Sequence, residues 1–512
     1  MYKILQADKD SYITNRVIGN VGSGTLRVNA NVGRAGTLDL FKLYGATFSS
    51  GNIPNVELTR ALIHFDLQPL KDMIGAGKIN INDDSFNCRL HLFDVYGGQT
   101  TPSDFVMSVF PLSRSFSEGE GRDVVYYSDY DVCNFLSSSR DDGAWFISGA
   151  NLGGGASEPC DYITGSSQVN DYEVTQRFVT GEEDLDVDVT TIVSSTLSGN
   201  IPDSGFRLSL QSIHDHDNYS YFVKRFSSRS AYNSSKRPRL IVKYNDSVQD
   251  DSQNLRFNSA GSVFLRNYEY DALTNIRSGS SQTVINGINC VFLRLEMMRS
   301  NGSGTYSLYF TGSQYSDGLN YYSGIYSASV YFDQYDPVIK YEIEKSGSIE
   351  FTPVWYSLDG TVDYYTGSTL RVYPSDRTNS AFNLQNYVVT VSGLQSLHRS
   401  TESVNVRLNV FDHTSPYIKL TKVPAVLPGI IVKNAYYQIR DISTNESVIP
   451  FDTTHDSTKA SSDFSGMYFS IDMSNLPTDR SYTVDVMLRV GGQDYVYRSV
   501  SSPFNVSDNH TA

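Results

Sequence analysis

The stretch Thr59–Leu67, TRALIHFDL, constrains this chain more than any other. Written as extended backbone, it puts Ala61, Ile63, Phe65 and Leu67 on one face and Arg60, Leu62, His64 and Asp66 on the other. Apolar residues at every second position, with β-branched and aromatic types among them, mark a strand with one buried side. A matching stretch, Arg237–Tyr244, sets Leu240, Val242 and Tyr244 opposite Arg239, Ile241 and Lys243. Between them Cys88–Tyr96, Phe206–Ser212 and Tyr219–Phe226 alternate in the same way, and no long segment repeats with the helical period. The pattern predicts an all-β protein whose residues 1–247 form one β-sandwich. Short helical turns are expected only around Leu70 and Met73 and over Asp188–Val193.

Composition bears on compartment and partners. Charged residues are only 19%, against 36 Tyr and 38 Gly, the balance of β-rich, extracellular-type proteins. The net charge of -15 and pI near 5.0 lack the basic footprint that nucleic-acid binding needs. The N-terminus, MYKILQADKDSYI, has no basic segment followed by an apolar run, so no signal peptide is expected. No apolar run reaches the length of a membrane-spanning helix. An extracellular-type composition without an export signal fits a protein assembled in the host cytoplasm and released by lysis.

After residue 244 the polar, acidic run Asn245–Asn254 reads as a linker. Strand patterns resume over Ser262–Tyr268, Val291–Met297, Tyr306–Thr311, Ile325–Phe332 and Ile349–Tyr356, then Leu370–Tyr373 and Tyr387–Val391. Pro353 argues that its strand is an edge or carries a bulge. Residues 248–400 are therefore expected to form a second β-sandwich. Residues 401–512 are expected to form a third, with Val404, Val406, Leu408 and Val410 alternating cleanly and later strands at the spacing of a small sandwich.

Cys88, Cys133, Cys160 and Cys290 contain no close pair, which disfavours zinc. Cys88 alternates with Leu90 and Leu92 and reads as a buried free thiol; Cys133 and Cys160 are the candidate disulfide pair. Asp184, Asp186 and Asp188 suit calcium by charge, but their alternation places them on a solvated sheet face. His214-Asp215-His216-Asp217 reads as a polar hairpin loop. Gly75-Ala76-Gly77-Lys78 lacks the spacing of a phosphate-binding loop, and no nucleophile, zincin or paired-acid signature occurs. No catalytic residue, metal or cofactor is expected. Tyr315, Tyr321, Tyr322, Tyr326, Tyr331 and Tyr335 crowd one stretch, which suits strand packing, a subunit interface or sugar binding, because tyrosine gives contact area and a polar tip at small entropic cost; Tyr315, Tyr321, Tyr322, Tyr326 and Tyr331 are the interface candidates.

An ordered set of motifs then carries a resemblance: Asp10-Ser11-Tyr12-Ile13, RALIHFDL, LHLFDVY, SFSEGEG, GAWF, DVDVTTIV and the closing YFVKRFSSRSAYNSSKRPRLIVKY. The first 245 residues resemble DNRLRE-type domains, which implies a jelly-roll sandwich like those of carbohydrate-binding modules. Two departures are Phe116 where the family usually has Trp, and the Gly-rich insertion Leu152–Gly165. Leu476-Pro477 ahead of the Tyr482 strand resembles the loop before a late strand of Ig-like or fibronectin-like modules. A jelly roll followed by two smaller Ig-like or fibronectin-like sandwiches resembles tailed-phage virion structural proteins of tail, neck or head surface. That resemblance implies a non-enzymatic, homo-oligomeric assembly protein, localised to the virion. Its partners would be copies of itself and other virion proteins, with neither nucleic-acid binding nor membrane insertion. The alternative is an adhesin that recognises host surface glycans.

Overall fold

A computed structural model describes residues 1–18, 25–45, 56–96, 102–127, 132–139, 143–152, 160–166, 169–270, 272–279, 282–316, 320–373, 387–412 and 429–508. Its architecture is all-β, as the alternation predicts. The chain divides into two compact units, Tyr2–Ile74 with Ile81–Lys243, and Met1 with Gly75–Asn80 and Tyr244–Ala512. Among the described residues no helix is long and apolar enough to cross a membrane.

The first unit is built on its first strand, Tyr2–Thr14. Tyr2–Gln6 pairs with Arg239–Lys243; past an irregularity at Ala7/Lys9 the same strand pairs with Thr59–Phe65. One strand thus serves two layers, the corner device of a jelly-roll sandwich. On one side the order continues through Asn87–Leu92 to Leu185–Asp188. On the other it runs through Val56–Phe65, Phe206–Leu210 and Phe105–Pro111 to Val174–Phe178, with Thr37–Tyr44 and Tyr221–Ser227 attached. The closing strand behaves as predicted: Leu240, Val242 and Tyr244 are buried. The expected short helices form at Gln68–Gly75 and Thr190–Leu197.

Thr59–Leu67 departs from its expectation in one respect. Its inward set is buried, but so are Arg60 and Leu62 on the other face. The strand is central, hydrogen-bonded on both sides, and a second layer of loops covers its far face. Arg60 lies there against Asp215, and Leu62 joins a small core with Ile13, Leu112, Phe116, Cys133, Trp145 and Ala150. Phe116 therefore fills an aromatic core position beside Trp145, whose indole N–H donates to the Asn134 carbonyl at 2.8 Å.

The second unit holds two sheet systems. A single large sheet orders Leu255–Arg256, Leu370–Tyr373, Ile349–Tyr356, Val291–Met298, Thr305–Ser316, Tyr321–Tyr331 and Ala260–Arg266. One face of it packs a core of Val291, Leu293, Leu295, Tyr326, Phe351 and Trp355 with Ile339 of the helix Pro337–Ser346. The Pro353 strand is not an edge; of the two expected features it carries the irregularity, a register shift at Trp355/Tyr356. It pairs with Val291–Met298 on one side and changes partners on the other, from Leu370–Val372 to Asp363–Thr366. Proline sits at the change, where its missing N–H costs no ladder bond.

The last module is a two-sheet sandwich. Tyr387–Ser392, Ser403–Asp412, Gly466–Asp472 and Ser461–Asp463 make one sheet; Leu397–Arg399, Phe504–Ser507, Arg480–Val490, Ala435–Asp441 and Ser447–Ile449 make the other, with Gln493–Tyr497 alongside Arg480–Val490. Tyr437 stacks on Phe469 across the core at 4.3 Å between ring centres. Tyr387–Val391, expected to end the second sandwich, pairs instead with Val388-facing Phe411 and its neighbours, so this module begins near residue 387. The Tyr482 hydroxyl donates to the Pro477 carbonyl, which gives the Leu476-Pro477 loop the tyrosine-corner contact of immunoglobulin-type sandwiches. The expected linker is no free tether. Val248 and Asp250 donate backbone N–H groups to the Ser461 and Ser462 hydroxyls, and Asp250 is buried.

Candidate functional site

Two surfaces stand out, each within one unit. The first follows from the register of the large sheet. Leu293 faces Phe310 and Leu295 faces Leu308 on the core side, so Phe292, Arg294 and Met298 point to the other side with Tyr309. Cross-strand pairing adds Tyr356 beside Phe292 and Ser327 beside Phe264 on that open face. Met298, Tyr309 and Tyr331 are 85%, 65% and 52% exposed. The Arg294 guanidinium lies 5.3 Å from the Tyr356 ring centre. The result is an aromatic-rich sheet face on which Met298, Tyr309 and Tyr331 are exposed while Phe264, Phe292 and Tyr356 are half-buried.

The tyrosines singled out from sequence separate here. Tyr321, Tyr331 and Tyr335 are exposed. Tyr315 and Tyr322 pack on one another at 5.4 Å between ring centres, and Tyr315 lies edge-on to Phe264. Tyr326 is no interface residue. It is fully buried; its hydroxyl accepts from the Ile276 N–H and donates to the Ile285 carbonyl. The strand's period puts it on the core face, and burial pushes its phenol up to about 12.

The acidic strand is spoken for by protein donors. Asp184 accepts from the Asp94 N–H, Asp186 pairs with Arg89, and Asp188 accepts from Asn87 and from the Thr190 N–H. No cluster of three or more potential metal ligands occurs among the described residues. The His214 segment is a short helix, Ser212–His216, packed against its neighbours and not a free loop. His214 Nε2 accepts from the Val106 N–H, its Nδ1 meets the Tyr221 hydroxyl, and buried Lys42 pairs with Asp217. Cys133 and Cys160 are not bridged; all four cysteines are free thiols, and Cys88 is buried as expected.

The second surface was not read from sequence. It depends on how SFSEGEG meets the loop Ala30–Ala35. Asn31, fully buried, donates from Nδ2 to the carbonyls of Glu118 and Cys133 at 2.8 and 2.7 Å. Its Oδ1 accepts from Gly121 N–H at 2.7 Å and Gly33 N–H at 3.3 Å. The two backbones touch. A Cβ on Gly121 would lie 1.8 Å from the Asn31 carbonyl oxygen, and Gly119 has a φ of +79°. Only glycine satisfies both demands. The Arg34 N–H then donates to the Gly121 carbonyl at 2.7 Å, which sets Arg34 beside Arg122.

The closing segment supplies the rest. Arg229 donates its backbone N–H to the Asp10 carboxylate and its guanidinium to both oxygens of Glu118 at 2.8–2.9 Å. Burial, with the Glu118 charge nearby, raises the Asp10 carboxyl to about 7. Arg237 donates Nε and Nη2 to the Ala231 carbonyl. Arg34, Arg122, Arg229, Ser230 and Arg237 line an open depression of about 550 Å³.

Against known proteins, no family model matches this chain, and no curated protein does. Among solved structures, the FN1–FN3 domains of chicken CNTN1 align at 10% identity and a TM-score of 0.13, over 69% of this chain and 85% of that one. A Salmonella alpha-2-macroglobulin mutant aligns at 8% identity and TM-score 0.15, and native E. coli alpha-2-macroglobulin at 7% and 0.12. These cover 99% and 98% of this chain, which spans about a quarter of each macroglobulin, 26% and 23%. At these scores none carries an argument about function.

Proposed function

We propose that this chain is a structural component of a tailed-phage virion that acts through assembly contacts with copies of itself and with other virion proteins, without covalent chemistry. The observation that supports this reading is the open aromatic face of the large sheet, carrying Phe264, Phe292, Tyr309, Tyr331 and Tyr356. Tyr309 and Tyr331 are exposed and Phe264, Phe292 and Tyr356 half-buried; aromatics gathered on one sheet face suit a surface that meets protein. A stable contact buries about 800 Å² per partner. Tyrosine suits such a contact, since it adds area and a hydrogen bond while fixing few torsions.

The test is the composition and geometry of the particle. Mass spectrometry of purified particles is expected to contain the chain, and imaging to place the face with Tyr309 and Tyr331 against a neighbouring subunit. A particle that lacks the chain, or that leaves this face in solvent, refutes the reading. A second reading, recognition of host surface glycans by the first unit, draws support from the arginine-lined depression.

A further inference from the structure

The depression collects four guanidinium groups from three stretches of a chain whose net charge is -15. Glu118 compensates Arg229. Asp10, buried beneath, lies near enough for its charge to act on Arg229 and Arg237, but among the described residues no carboxylate forms an ion pair with Arg34 or Arg122. Like charges gathered on an acidic protein repel each other unless an anion joins them, and with 56 Asp and Glu available an internal partner would be easy to supply. The arrangement is also built, not scattered. The Asn31 bonds and the glycine contacts fix Arg34 against Arg122, and the Asp10–Glu118 pair fixes Arg229 from below.

From this geometry we infer that the depression is a binding site for a doubly charged phosphate monoester carried on a sugar. Guanidinium forks match tetrahedral oxyanions two bonds at a time. A phosphate monoester near neutral pH carries about -1.5 to -2 charge and three acceptor oxygens, which meets several arginines; a carboxylate or sulfate ester, with a single charge, meets fewer. The volume exceeds what a bare phosphate fills and lies in the range of small-ligand pockets, so the oxyanion rides on a larger polar body, and Ser230 adds a hydroxyl. The sugar rests on the glycan reading above; the oxyanion site does not.

Titration calorimetry on the full chain separates the two. Ligands are inorganic phosphate, glucose 6-phosphate, glucose 6-sulfate, glucuronate and glucose. Glucose 6-phosphate is expected to bind saturably, at least about tenfold more tightly than the sulfate or glucuronate, given the strength of charge-assisted bonds, and glucose not at all. Arg34→Gln and Arg122→Gln, both at exposed side chains, are each expected to weaken it about tenfold with an unchanged melting temperature. Arg177→Gln, in an exposed pair with Asp104 elsewhere on the unit, leaves binding intact. Inorganic phosphate binding as tightly as the sugar phosphate, lost in both variants, upholds the oxyanion site and refutes the glycan reading. No saturable phosphate or sugar-phosphate binding at about 10 mM, or binding untouched by either variant, overturns the site. Equal affinity for glucuronate overturns the doubly charged ligand.

Discussion

Asn31→Ala tests the account of the first unit at its most connected point. Asn31 joins three segments: its own loop, Glu118–Gly121 and Cys133. Three of its four bonds lie within 2.8 Å, and the residue is fully buried. Alanine leaves two carbonyls and two N–H groups without these partners. Each buried unsatisfied group costs about 1–3 kcal/mol. Taking about 1 for each of the three short bonds, to allow for relaxation, gives a loss of about 3 kcal/mol. For a unit of this size that is a fall of about 6–12 °C in the melting temperature of its transition, read by calorimetry. Asn31→Asp is the sharper probe. It keeps both acceptor bonds, yet turns a carboxylate oxygen toward the Glu118 and Cys133 carbonyls, and is expected to cost at least as much. Phosphate-ester binding falls in both, because the Asn31 bonds hold its loop against Glu118–Gly121 and so bring Arg34 to Arg122. A melting temperature lowered by less than about 2 °C in Asn31→Ala, or an Asn31→Asp variant as stable as the parent, refutes the reasoning.

Three further outcomes are expected. Asp10 has its carboxyl raised to about 7 by burial, so the folded state holds a proton the unfolded state has lost between about pH 4 and 7. Stability of the first unit therefore falls as pH rises through that window; urea titrations from pH 4 to 8 read the slope, and Asp10→Asn removes most of it. Tyr326→Phe costs about 1–3 kcal/mol by orphaning the Ile276 N–H and Ile285 carbonyl, whereas Tyr309→Ser stays within about 0.5 kcal/mol and shows its effect in assembly; equal thermal shifts for the two contradict the register. Reductant leaves the melting temperature unchanged, and a thiol reagent finds Cys88 and Cys133 only after unfolding, since both are buried free thiols; a mass lower by two hydrogens without reductant contradicts this.

Much of the fold was legible because strand alternation is local. Leu240, Val242 and Tyr244, or Val406, Leu408 and Val410, needed only a period of two to be placed in a core. The failures share a cause. Alternation assumes one solvated face, so Arg60 and Leu62 were put outside, when covering loops bury them. Pro353 points to an edge or a bulge; the strand is paired on both sides, and the irregularity appears as a register shift at Trp355/Tyr356 beside its change of partners. Tyr326 looked like its neighbours in a tyrosine-rich run until register gave it the core face. Asn245–Asn254 had the composition of a tether, and bonds to distant strands, those to the Ser461 and Ser462 hydroxyls among them, turned it into a packed strap.

The candidate site was hidden for a plainer reason. The SFSEGEG and YNSSKRPR motifs were visible, but Arg34, Arg122, Arg229 and Arg237 lie up to two hundred residues apart and carry no shared spacing. The amino-acid order alone determined the all-β class, most strands and the inward residues of those with one solvated face, since each depends on neighbours a few positions away. Which arginines meet, which tyrosines face out and which carboxylates find donors was decided by pairing between distant strands, because charge and burial act through space and not along the chain.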